Sequence, residues 1–272
     1  HQTTVPNHPR QNNKSPSCRG QTRFPTSLWP MNKMKPGISV YLALALVTLA
    51  AGATLTIFEG DIQGKISAMS QGTYNPYREF NEWVNSFVFS TGQISYLYNL
   101  MGEDSGYYFT SYLRDLMGGT LLYWGAAGAW HLIIYHLYVD ELFTKPKKEL
   151  PTSAVIVDQM VLAQCSLFLY AGLPILSEFL IENGLTQVYF YVEEKGWARY
   201  AIFQLLYICC VEIGIYWVHR TLHTNKWCYK YIHGLHHKYN SAATLTPWAS
   251  IAFNPIDGLM QASPYVICLL FI

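Results

Sequence analysis

Five of the nine histidines lie within nineteen residues: His219 and His223 in HRTLH, then His233, His236 and His237 in HGLHH. Imidazole is the commonest protein metal ligand near neutral pH. On a helix, residues three or four apart share a face, with Cβ atoms about 5–6 Å apart. His219 and His223 therefore make one pair, and His233, His236 and His237 a triplet able to converge on a point. No cysteine joins them at zinc-finger spacing, although Cys228 lies between the two groups. Imidazole ligation without thiolate suits iron, copper or zinc rather than calcium or magnesium. A structural zinc site closes with four ligands, so five histidines in two groups point to part of a two-metal centre. Iron makes such a site useful for redox work, because it activates oxygen and removes hydrogen from an unactivated C–H bond. The alternative, surface or core histidines with no metal, suits a lone histidine better than five at these spacings.

The cluster directly follows an apolar stretch, YAIFQLLYICCVEIGIYWV, which places it at a membrane surface. Of 272 residues 51% are hydrophobic and only 13% charged, half the share of about a quarter usual in soluble domains. Lipid is therefore part of the solvent. A net charge of +1 and the lack of a basic tract interleaved with aromatics give no footing for nucleic acid. Cys165, Cys209, Cys210 and Cys268 fall in apolar runs and read as small buried hydrophobes, not as a disulfide framework.

Residues 1–36 form a polar N-terminal segment, expected to be disordered because its first thirty residues are rich in Pro, Ser, Thr, Asn and Arg. The chain begins with His1 and its first methionine is Met31, as expected of a fragment or of translation from upstream of the true start. Residues 37–272 form the membrane domain. Spans are expected near 38–58, 116–138, 159–177 and 200–218, each close to the roughly 20 residues a bilayer needs. A further apolar tract starts another span near 259–272, and the chain is expected to be cut short inside it. The run at 38–58, preceded by Lys33 and Lys35, also resembles a signal peptide, but its length favours an uncleaved anchor. The fold class expected is all-α: a polytopic transmembrane helical bundle with a cytosolic histidine-box metal site. Loop charge sets the orientation. The loop at 59–115 is acid-rich and so is that at 178–199, whereas Lys145, Lys147 and Lys148 and the histidine segment with Arg220, Lys226, Lys230 and Lys238 are basic. The histidines are thus expected to face the cytosol.

HRTLH followed by HGLHH resembles the first two histidine boxes of the fatty acid hydroxylase/sterol desaturase superfamily of membrane di-iron oxygenases. The resemblance is closer still to the sterol C-5 desaturases (lathosterol oxidases). It runs through VEIGIYWVHRTLH, YKYIHGLHHKYN and TLTPWASIAFNPIDGLMQASPYV, and more weakly through GGTLLYWGAAGAWHLIIYHLY. It implies that His219, His223, His233, His236 and His237 are iron ligands in a two-ion centre. It further implies a multi-pass protein of the endoplasmic reticulum membrane that converts a Δ7-sterol to a Δ5,7-sterol, using O2 and electrons from cytochrome b5 with its reductase. The family has a third box, of HxxHH type, well downstream. The chain is expected to stop before it and to be inactive as it stands. The family usually has histidine where this chain has Asn254, which can hydrogen-bond but does not replace imidazole as a ligand.

Glu212 lies seven residues before His219, near the same helix face, and is a candidate to orient an imidazole N–H; pairing with a basic residue at the helix end is the alternative. Asp257, before Gly258, reads as a plain turn or cap. His131 and His136, five apart, are separated by about 140° around an α-helix and are expected to serve interhelical hydrogen bonding. Tyr216, Trp217 and Trp248 fit an interfacial aromatic belt at least as well as a sterol pocket. Rival functions within the superfamily are a C-4 methylsterol oxidase and a lipid hydroxylase, against which the TLTPWASIAFNPIDG stretch favours the C-5 enzyme. From another class, a metal-binding or transport membrane protein would spread histidines over several spans.

Overall fold

The computed structural model describes residues 61–143, 150–241 and 243–272. The polar segment, the expected span at 38–58 and the basic loop at 145–148 lie outside the described residues. No strand occurs among the described residues, which are all-α. Helices α1 (Ile62–Ser70), α2 (Pro76–Val88) and α3 (Thr91–Met101) precede a long α4 (Glu103–Leu132), which continues as a π-helical turn, Ile133–Leu137. Then come α5 (Ser153–Tyr170), α6 (Gly172–Glu182), α7 (Trp197–Thr224) and α8 (Pro255–Leu269). The starts follow local rules. Asn75 accepts from the Tyr77 and Arg78 amides ahead of Pro76, and Asn254 accepts from the Ile256 amide ahead of Pro255. A short polar side chain before proline supplies the acceptor, and the proline supplies a preset φ.

The expected spans at 116–138, 159–177 and 200–218 each fall within helical chain, and the tract at 259–272 begins within α8. Two stretches among the described residues are long and apolar enough to cross a membrane: Ser153–Glu182 and Trp197–Thr224. The first is two helices, because Pro174 has no N–H for the Tyr170 carbonyl and α5 ends at Tyr170. The second carries Ile202, Leu205, Leu206, Ile208 and Ile213 exposed. Water would disfavour such an apolar surface and lipid would accept it.

The buried core joins α4 and α5 to the loop before α8 through Tyr123, Ala127, Ala163, Leu167, Tyr239, Trp248 and Ala252. The Tyr123 hydroxyl donates to the Trp248 carbonyl (2.8 Å), and Trp248 meets the Tyr123 and Trp124 rings edge-on. Gln159, fully buried, pins the same loop by donating to the Thr244 carbonyl (2.5 Å) and accepting from the Thr246 hydroxyl. A buried amide with both ends satisfied fixes register where apolar packing would leave it free. Helix α8 packs on α5, α6 and α7. It meets α7 tightly at Gly214, where an added Cβ would lie 2.8 Å from the Pro264 Cβ.

A polar network ties α2, α4 and α6 together. Arg114, 9% exposed, bonds to Asp115 (2.9 Å), Glu178 and the Asn85 amide oxygen (3.1 Å), and Asn85 donates to the Ser111 hydroxyl (3.1 Å). Nearby, Glu182 accepts from the Tyr107 and Tyr108 hydroxyls and from Asn81.

Candidate metal centre

Helix α7 presents His219 and His223 from its last turns, with ring centroids 4.8 Å apart. The second box is not one α-helix. His233 closes a π-helical turn, Tyr229–His233, and His236 and His237 open a 3₁₀ turn, His236–Tyr239. Gly234 joins them, its amide donating to the Tyr229 carbonyl (2.7 Å). The two turns still bring four rings together. The Nε2 atoms of His219 and His223 are 3.1 Å apart, those of His223 and His233 3.2 Å, and those of His233 and His237 3.1 Å. His236 stands beside them, its ring 5.1 Å from that of His233 and edge-on to Phe253 at 5.2 Å. All five sequence-predicted histidines therefore cluster.

The far side of each ring decides what the near side offers. Asp257, fully buried, takes the Nδ1–H of His233 (2.9 Å) on one oxygen and the Gln261 amide N–H (2.8 Å) on the other. That bond turns the Gln261 oxygen toward Nδ1 of His219 (2.8 Å). With both Nδ1 atoms donating, Nε2 of His219 and of His233 are bare lone pairs. Both point at Nε2 of His223, whose single nitrogen can supply at most one proton. Lone pairs that face each other call for a cation between them. Imidazole nitrogens held about 2.0–2.1 Å from one tetrahedral or octahedral ion lie about 2.9–3.4 Å apart, and the observed separations fall in that range. The ligand atoms of His219, His223 and His233 lie within 4.8 Å of one another. The residues fit a metal.

Burial, then the neighbouring His233, holds the His236 and His237 imidazoles below their ordinary pKa. They are kept in the neutral form a metal requires. His233 is fully buried and His223 exposed, so the cluster is closed toward α8 and open beyond α7. Lys238 and Tyr239, next in the chain, both reach Asp158 of α5 and lock the second box to the bundle.

Three expectations change. Glu212 is exposed, and the acceptors at the imidazole N–H groups are Asp257 and Gln261. Seven residues of helix carry Glu212 about 10 Å along the axis from His219, beyond hydrogen-bond reach. Asp257 is no plain turn residue. Its position in the first turn of α8 is real, but its side chain faces inward to His233. His131 and His136 are not splayed by 140°, because the π-helical turn after Leu132 widens the helix and brings their rings to 5.6 Å. The expected interhelical bond is not made by Nδ1 of His131, which is buried without a partner. Asn254 caps α8 and donates to the Tyr231 carbonyl (3.2 Å), joining the π turn to the helix that steadies it. Gln261 went unnoticed in the sequence. The usable clue is its spacing, four residues after Asp257 in a helix whose one other small polar side chain is Ser263.

Residues 204–272 match the fatty acid hydroxylase family. The Delta(7)-sterol-C5(6)-desaturase of Nicotiana tabacum is 41% identical over 161 residues, 59% of this chain and 59% of that protein. A Delta(7)-sterol 5(6)-desaturase of Aspergillus fumigatus is 35% identical over 132 residues, 48% of this chain and 39% of the relative. Lathosterol oxidase of Rattus norvegicus is 34% identical over 99 residues, covering 35% and 32%. The chain spans less than two thirds of the length of these relatives. No solved structure matches it.

Proposed function

We propose that this chain, whose residues 204–272 match the fatty acid hydroxylase family, is a membrane oxidoreductase of sterol biosynthesis. It introduces the C5–C6 double bond into a Δ7-sterol. The observation that carries this is the convergence of bare imidazole lone pairs from His219 and His233 on His223, with Asp257 and Gln261 holding the rings from behind.

Iron is the metal that suits this donor set and this task. His219, His223, His233, His236 and His237 would hold it, and two ions would draw further ligands from a third histidine box of the kind the resemblance implies. When bound, iron supplies the oxygen activation that removes hydrogen from an unactivated C–H bond, which acid–base groups alone do not achieve. The chain's own residues do the rest. Asp257 and Gln261 fix tautomer and ring orientation, so the ligands are preorganised. Apolar surroundings supply an oily substrate from the bilayer. Taking two hydrogens from the sterol while O2 becomes two waters needs two more electrons and two protons. A cytosolic donor such as cytochrome b5 with its reductase fits this need. The alternating loop charges support a histidine cluster on the cytosolic face of the endoplasmic reticulum membrane.

The test is expression of the full-length protein in cells lacking C-5 desaturation, with sterols read by mass spectrometry. Accumulation of a Δ5,7-sterol is expected, and loss of it in His233→Ala. Oxidation of a C-4 methyl group or of another lipid, with no Δ5,7-sterol, would move the chain to another branch of the superfamily. A protein that takes up no iron would end the enzyme reading.

A further inference from the structure

Helix α7 has 28 residues and is therefore about 42 Å long. That matches the roughly 40–45 Å of a bilayer together with its headgroups. Trp197 is exposed at one end, and toward the other the Tyr216 and Trp217 rings lie 6.0 and 5.6 Å from the Arg220 guanidinium. The helix thus ends at headgroup depth. One residue later the chain turns. The Asn225 side chain accepts from the Trp227 and Cys228 amides (2.9 and 3.2 Å) and starts a short turn, Lys226–Cys228, that runs into the π-helical turn Tyr229–His233.

This segment has two sides. At about 100° per residue, Lys226, Lys230, Trp227 and Tyr231 fall within an arc of about 140°, and all four are exposed. Ile232 and His233 point the other way and are buried. Within the arc the cations take one border and the aromatics the other. Trp227 and Tyr231 are 61% and 56% exposed with rings 5.6 Å apart, and Lys230 Nζ lies 4.9 Å from the Tyr231 ring centroid. Among the described residues no carboxylate pairs with either lysine. Two large adjoining rings are out of place in water. At the boundary of a bilayer such rings sit at headgroup level, and ammonium groups beside them meet acidic headgroups. The arc repeats the aromatic–cation pairing of Tyr216, Trp217 and Arg220, and so continues the lipid-facing side of α7.

We propose that the exposed arc of residues 226–231 is a lipid-binding surface that rests on an anionic leaflet, with Lys226 and Lys230 on acidic headgroups and Trp227 and Tyr231 sunk beside them. The cytosolic leaflet is the anionic one, which agrees with the side expected from loop charge. His233 closes the same segment, so lipid charge steadies the second histidine box from outside, as Asp257 does from within. The inference rests on the membrane reading and holds whatever lipid the enzyme oxidises.

The experiment places the full-length protein in phosphatidylcholine nanodiscs and adds phosphatidylserine or phosphatidylcholine carrying a nitroxide high on the acyl chain. Tryptophan emission quenched in wild type but missing from Trp227→Phe reports lipid at Trp227. Phosphatidylserine is expected to quench it at a lower concentration than phosphatidylcholine. Lys226→Gln and Lys230→Gln are each expected to lower that preference about fivefold, the ratio that corresponds to about 1 kcal/mol per basic residue near an anionic surface. The double arginine variant, Lys226→Arg with Lys230→Arg, keeps the charge and is expected to keep the preference. Emission from Trp227 that no lipid quenches overturns the proposal, and so does equal quenching by the two lipids in wild type. An unchanged preference in the glutamine variants overturns it too, as does a preference lost equally in the arginine variant. The surface docks a protein instead, and the proposal fails, if the lysines govern binding of the soluble domain of cytochrome b5 while lipid quenching is indifferent to them. None of these readings needs iron or sterol turnover. Wild type that makes no Δ5,7-sterol but shows the lysine-dependent preference removes the functional reading alone.

Discussion

At His233 the deciding contact is the one made by the nitrogen that faces away from the cluster. Asp257 accepts from Nδ1, and the ring then offers Nε2 inward as a lone pair. Asp257→Asn keeps the shape but replaces a carboxylate with an amide that can present an N–H to the ring. Partners of this kind typically contribute 10- to 100-fold in metal affinity or activity. Iron retained after dialysis against a chelator is expected to fall by about that factor. Gln261→Leu is expected to act through His219 in the same direction and by less, since its oxygen is neutral. Retention equal to wild type in both would show the rings to be held by backbone packing alone. The five histidines were legible because their spacing is local. Asp257 and Gln261 were not, since their roles depend on α8 folding back across α7, which no local pattern announces. Glu212 is a charge in an apolar run, yet angular position on a helix says nothing of distance along it.

At the scale of helices, α8 is the element that assembles the centre. It reaches α7 through the Gly214–Pro264 contact. Gly214→Leu places a side chain where 2.8 Å is available to a single carbon, and overpacking of this kind costs about 1–3 kcal/mol. A lower melting temperature in detergent is expected, together with weaker iron retention, because moving α8 carries Asp257 and Gln261 with it. A variant that melts earlier but holds iron normally would separate packing from ligand orientation. Helix positions were readable from apolar runs and from Pro174. The π-helical turns at Ile133–Leu137 and Tyr229–His233 were not. Both follow from how the ends of helices settle against neighbours, and each changes which residues share a face.

At the scale of the described residues together, the charged side chains of the α5–α6 pair sit toward its two ends. Asp158 marks the histidine end and Glu178 with Glu182 the other, about 30–36 Å apart if the helices run straight on. Arg114 at the far end is buried among carboxylates and amides. Arg114→Met leaves Glu178 without its cation, and removing one partner of a buried pair costs about 3–5 kcal/mol. A large drop in folded yield and thermal stability is expected. Iron per folded protein should stay unchanged, because the centre lies at the opposite end. The reverse, normal stability with iron lost, would contradict this separation. The sequence announced the acidic loops and the basic histidine segment as separate blocks of charge. It did not announce that Arg114 would pair with Glu178 of the other acidic block and with Asn85, because these come from α6 and α2, distant in the chain.

The two acceptors behind the rings ride on a single turn of one rigid rod. His219 and His233, though fourteen residues apart and on different supports, are therefore coupled in mechanical series through α8. A sideways slip of that rod loosens both grips at once and never only one. Half-built states of the histidine cluster are thereby made scarce, and the cluster behaves as a jaw that is either shut or open.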